Sequence, residues 1–163
     1  METSLVVTTG GKELVASQDM LQLVTFTLGD EEYCVDVLMV REIIRIPDIT
    51  RVPNTQFYVE GVINLRGKVI PVIALRKRFG LDEMEYDGRT RIIVMEIDGD
   101  LIGFLVDAVS EVIRVFPDEI QPPPAVAASG DQQECMSGVI QRDERLIIVL
   151  DLGKIATPDA FVA

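Results

Sequence analysis

Carboxylates dominate the side chains that could do chemistry. Twenty-seven Asp and Glu stand against fifteen Lys and Arg, a net charge of −12, and there is no histidine. Without imidazole the chain lacks the commonest general base and the commonest transition-metal ligand. The acidic clusters Asp30-Glu31-Glu32 and Asp98-Gly99-Asp100 have the composition of hairpin turns and lack the spacing of a calcium loop. No G-x-x-x-x-G-K-[ST] or G-x-G-x-x-G string offers a phosphate cradle. The few serines have no histidine to activate them, and Cys34 and Cys135 form no C-x-x-C pair. Cys34 falls in an alternating stretch and reads as half-buried packing. Both cysteines are expected to be reduced thiols of a cytosolic protein. The residue inventory points to a binding module without catalytic residues, cofactor or metal.

Two other groups remain. Arg76-Lys77-Arg78 is the one basic run, and it reads as the solvated face of a short helix. Arg66 stands in Gly61-Val62-Ile63-Asn64-Leu65-Arg66-Gly67, where two glycines permit sharp backbone geometry and a long cation is presented next to an apolar residue. Neither outweighs a charge of −12, which opposes binding to nucleic acid or to anionic lipid. The hydrophobic content of 48% is too high for a disordered chain. No basic region followed by an apolar run marks a signal peptide, and no apolar run approaches the roughly 20 residues that span a bilayer. The expectation is a cytoplasmic protein without direct membrane insertion.

The elements that must position Arg66 are strands. Residues 1–20 show no sustained period and read as a flexible tail, as do 158–163. From Leu21 the period is two: Val24, Phe26 and Leu28, a Gly29-Asp30 turn, then Tyr33, Val35 and Val37 form a hairpin signal. An apolar stretch from Val40 ends at Pro47. Gly61–Ile63 and Val69–Ile73 make a second pair, in which Pro71 demands an edge or a bulge. Leu75–Phe79 reads as one helical turn stopped by Gly80.

The pattern then recurs. Val40-Arg41-Glu42-Ile43-Ile44-Arg45 returns 69 positions later as Val109-Ser110-Glu111-Val112-Ile113-Arg114. Gly61-Val62-Ile63 returns 77 positions later as Gly138-Val139-Ile140, and the offsets differ by an insertion in the Pro/Ala-rich segment 121–134. At that shift Arg66 falls on Asp143, so the copies share a scaffold and differ at this tip. An internal duplication follows, with repeat one at about 21–85 and repeat two at about 90–157. Five short strands per repeat leave fewer edges if they close. The expected fold is therefore all-β: two small five-stranded barrels packed side by side, sharing an apolar interface, with short helical turns. The pattern leaves open whether each repeat builds its own barrel or the repeats exchange strands.

The string FYVEGVINLRGKVIPVIALRKRFGL resembles the signature of the CheW family of bacterial chemotaxis coupling proteins. EYCVDVLMVREII, LIGFLVDAVSEVIRV and SGVIQRDERLIIVLDLGKI are similar to the same family, so the resemblance runs from Leu21 to Ile155. It implies barrels of the Src-homology-3-like type, no enzymatic activity, and a scaffold linking the cytoplasmic tip of methyl-accepting chemoreceptors to the regulatory domain of the CheA histidine kinase. It also implies recruitment to receptor arrays at the inner membrane, and fits equally a CheW-like coupler for another receptor–kinase pathway, in surface motility or biofilm control. Carried over by motif, the receptor-binding residues are Val40, Glu42, Gly61 and Arg66, joined by the repeat partners Val109 and Val112. The valines read equally as barrel core. Ala74 departs from the Asp that the family often has there, at the loss of a local hydrogen bond.

Overall fold

A computed structural model describes residues 19–123, 135–156 and 161. Most of the expected tails, 1–20 and 158–163, and most of the 121–134 segment lie outside the described residues. Among the described residues eleven strands form in chain order: β1 (Leu21–Leu28), β2 (Glu31–Asp36), β3 (Val40–Ile44), β4 (Val59–Leu65), β5 (Lys68–Ala74), β6 (Arg91–Ile97), β7 (Asp100–Val106), β8 (Ala108–Val115), β9 (Ile120–Gln121), β10 (Met136–Arg142) and β11 (Arg145–Leu150). A single helical turn, α1 (Leu75–Arg78), follows β5.

The strands make two sheets, β8-β1-β2-β11-β10-β9 and β3-β6-β7-β5-β4. The halves of the chain exchange their leading hairpins. β1 and β2 join the later strands, while β6 and β7 join β3, β4 and β5. Each sheet closes through a corner. Beyond β3 the chain turns so that Thr50 bonds Val62 of β4 in both directions, at 2.9 and 2.8 Å. Beyond β8 the chain turns through Pro117–Glu119 into β9, which pairs with β10. Closure leaves fewer backbone groups at open edges. We call the six-stranded sheet the first barrel and the five-stranded sheet the second.

The duplication is written into the irregularities. β3 bulges between Val40 and Glu42, and β8 at the matching Ser110. β4 bulges between Val59 and Gly61, and β10 between Met136 and Gly138. Gly61 and Gly138 sit where the corner segment crosses. A Cβ at Gly61 would lie 2.2 Å from the Thr50 carbonyl oxygen, and one at Gly138 would lie 2.5 Å from Ile120 Cγ2.

Three apolar clusters account for the patterning. Leu23, Cys34, Ile113, Val115, Ile140, Ile147 and Val149 fill the first barrel. Ile63, Ile70, Val72, Ala74, Ile92, Val94 and Leu105 fill the second. A larger cluster between the barrels draws Phe26, Tyr33, Val35 and Leu150 from one side and Ile93, Met95, Phe104 and Val106 from the other. The central strands therefore bury both faces, and Thr25 among them is fully buried, its hydroxyl meeting the Glu111 backbone at the β8 bulge.

Three expectations need correction. Cys34 is fully buried, and burial pushes its thiol up to about 12. Pro71 lies in a strand flanked on both sides, by β4 and β7. It pairs with Val62, and the parallel ladder to β7 starts one residue later, at Val72↔Gly103. The Arg76-Lys77-Arg78 run is not a solvated face. Arg76 forks onto Asp107 with two 2.8 Å bonds, Lys77 pairs with Glu60 at 2.8 Å, and Arg78 lies over the Tyr58 ring. Burial pushes the Glu60 carboxyl up, but Lys77 and the Tyr86 hydroxyl outweigh it and hold the group below its ordinary value.

Candidate functional site

One end of the second barrel gathers three loops. β3 runs antiparallel to β6 with Val40 opposite Met95, so the start of β3 lies beside the β6–β7 turn at Asp98-Gly99. The β4–β5 turn reaches the same end. Arg66 and Gly67 both take positive φ, 53° and 86°, as a tight two-residue hairpin requires. The Asn64 carboxamide oxygen accepts from the Gly67 N–H at 2.9 Å and fixes the turn.

This geometry brings together two residues expected at the site. Arg66 Nη1 and Nη2 each donate to a Glu42 carboxylate oxygen at 2.7 Å, a forked pair bridging β3 and the β4–β5 turn. The Arg66 side chain is 71% exposed and that of Glu42 30%, so the fork lies on the surface and can exchange partners. The hydrogen bond from Arg66 holds the Glu42 carboxyl below its ordinary value, and the carboxylate raises the guanidinium in turn. Arg41, in the β3 bulge, pairs with Glu96 of β6 alongside.

The other expected residues separate. Val40 and Val109 are both half-buried against the cluster between the barrels, one from each barrel. Val112 is 54% exposed on β8, and its repeat partner Ile43 is exposed on β3. Gly61 is buried and offers no side-chain contact; its place in the fold is the close crossing at Thr50.

Two features went unread in the sequence. Beside the fork, a groove of about 660 Å³ runs between the start of β5 and the start of β7, with Lys68, Asp98 and Asp100 among its lining residues. It exists because the β5–β7 ladder begins only at Val72. The signal was Pro71, whose missing N–H ends a ladder. The second feature is a knot between the barrels. Asp107, at the β7–β8 junction, accepts the Arg76 fork and also the Gly29 N–H of the β1–β2 turn at 2.7 Å. No sequence signal placed Asp107, because its partners stand 31 and 78 residues away.

Among the described residues no group of His, Cys, Asp and Glu could hold a metal ion, and no helix is long and apolar enough to cross a membrane. The fold is a double barrel that carries a forked ion pair at one end of its second barrel. The chain belongs to the CheW-like domain family, whose sequence model matches residues 22–159. It is 35% identical to the chemotaxis protein CheW of Treponema pallidum over 87% of this chain and 85% of that one. It is 37% identical to CheW of Rhizobium meliloti over 91% of this chain and 89% of that one. The crystal structure of the scaffolding protein TtCheW from Thermoanaerobacter tengcongensis superposes with a TM-score of 0.77, at 37% identity, covering 85% of this chain and 94% of that one.

Proposed function

We propose that the chain is a non-enzymatic scaffold that couples transmembrane chemoreceptors to the CheA histidine kinase. The receptor contributes its cytoplasmic tip and the kinase its regulatory domain. The protein works in the cytoplasm, at receptor arrays on the inner membrane. The observation that carries this reading is the surface fork of Glu42 and Arg66 beside an apolar groove. A helical hairpin tip lays an apolar strip into such a groove and meets charges at its rim. Val40 and Val109 stand at the junction of the barrels, Val112 offers an exposed apolar side chain on β8, and Gly61 shapes the strand that carries the Arg66 turn. Relatives of similar length are named chemotaxis proteins, and one solved relative is named a scaffold.

The test is a pair of calorimetric titrations, one against the tip of a receptor from the same organism and one against the regulatory domain of its CheA. The wild-type chain binds both saturably at 1:1. Arg66→Ala weakens tip binding about 5- to 10-fold, in the range of a lost charge-assisted contact, with an unchanged melting temperature. Tip binding that is untouched in both Arg66→Ala and Glu42→Ala removes the fork from the site, and no binding by the wild type to either partner ends the coupling reading.

A further inference from the structure

An aromatic side chain from near the end of the sequence forms part of the wall of the groove between β5 and β7. Phe161 lines it together with Ile97, Ile102 and Ala156, and packs against the cluster shared by the barrels. A single ring does not fill about 660 Å³, and Val69 on the facing wall stays exposed. Among the described residues the matching ladder of the first barrel starts two rungs earlier. There Ile147 pairs with Glu32 and Ile148 with Tyr33, the rungs that match Ile70 with Leu101 and Pro71 with Ile102 in the second barrel. Pro71 has no N–H to give to β7, so those rungs stay open and the walls of the groove are not tied to one another. Ile97 and Ile102 line the groove and belong to the cluster against which Phe161 packs, the surface an incoming apolar strip would meet. Lys68 on one side and Asp98 and Asp100 on the other give the rim both signs of charge, as a helix with apolar and charged faces requires.

We propose that Phe161 is an internal occupant of this groove, and that the apolar face of a partner helix docks only when Phe161 leaves. The inference rests on the coupling reading above and adds a competition to it. An occupied groove lowers apparent affinity by the fraction of time it is open, so a ring seated nine-tenths of the time weakens docking about tenfold.

The sequence contains no tryptophan, so Phe161→Trp places a sole fluorophore in the groove. In the free protein its emission is blue-shifted. Titration with a tryptophan-free receptor-tip hairpin shifts the emission to the red and raises acrylamide quenching in step with saturation. In parallel, Phe161→Ala binds the tip about 3- to 10-fold more tightly than wild type, while affinity for the kinase regulatory domain is unchanged. Saturable tip binding with emission that stays blue, or with a Phe161→Ala affinity equal to or below wild type, overturns the competition and leaves the coupling reading standing. A wild-type chain that binds no tip overturns both.

Discussion

The two barrels were built from the same repeat and now differ in three ways. The first is charge. The segment 40–106, which makes the second barrel, holds ten basic and ten acidic side chains, whereas the described segments 21–39, 107–123 and 135–156 hold four and eleven. The second is the tip. Arg66 reaches across to Glu42, while the matching Asp143 leaves Glu111 to find its cation in Arg145, which also holds Glu32. The third is the parallel ladder, closed toward the hairpin turns in the first barrel and open there in the second. What stayed alike is what closure needs: bulges and glycines. What diverged is surface and turn chemistry. A duplicated scaffold keeps its geometry where strands cross and is free to change where a partner is met.

That division can be broken first at the crossings. Gly61→Ala forces a Cβ to 2.2 Å from a backbone oxygen at a φ of +147°, and should cost about 3 kcal/mol or more. Gly138→Ala meets Ile120 Cγ2 at 2.5 Å and the Gln121 backbone oxygen at 3.0 Å but carries no positive φ, and should cost less, about 2 kcal/mol. Urea unfolding of both variants compares them, and equal costs would show that the two crossings are interchangeable. The next largest effect lies at the knot. Asp107→Ala leaves the Arg76 guanidinium, 18% exposed, without its forked partner and strips an acceptor from Gly29 N–H. A loss of about 3 kcal/mol is expected, and unfolding monitored by both barrels' amide signals should show them separating.

A smaller effect distinguishes the helical turns. Asp151 caps its turn by accepting from the Gly153 N–H at 3.1 Å, whereas Ala74 at the matching place has no side-chain cap. Asp151→Ala should cost about 1 kcal/mol, whereas Ala74→Asp buries a carboxylate in the second barrel's apolar cluster and should also destabilise, both read as falls in melting temperature. The smallest effect is the titration of Glu42. Arg66 depresses its carboxyl in the folded chain, so the pair's contribution is complete above the ordinary carboxylate range. It is lost as pH falls through the depressed value. By NMR, Glu42 in the wild type should titrate below an ordinary glutamate, and in Arg66→Ala it should move back up; an unmoved midpoint would mean that the fork does not persist in solution.

The alternation in Val24–Leu28 and the 69- and 77-residue offsets made strands and duplication readable, because side-chain period and repeat are local or self-referential. Glu42 and Arg66 were legible one at a time, by motif. Their pairing was not, since nothing in the sequence says that a turn at residue 66 closes onto residue 42. Arg76 and Lys77 were misread for the same reason: a one-turn helix has little surface of its own, and its burial is decided by Glu60 and Asp107 from other strands. The exchange of hairpins was beyond reach, because the alternation of β1 tells which face is more apolar and not which strands that hairpin will join.

The strand order also has a consequence during synthesis. Everything the second barrel needs lies in one stretch, Val40–Val106, and can fold as soon as it leaves the ribosome. The first barrel cannot: β1 and β2 emerge before it but wait for β8, β10 and β11, the last of which ends at Leu150. At ~5–20 residues per second that wait lasts roughly 6–23 s, with Phe26, Tyr33 and Val35 uncovered on the nascent chain. The leading hairpin is therefore the segment of this protein most exposed to chaperones and to premature aggregation, although in the finished molecule it lies at the centre.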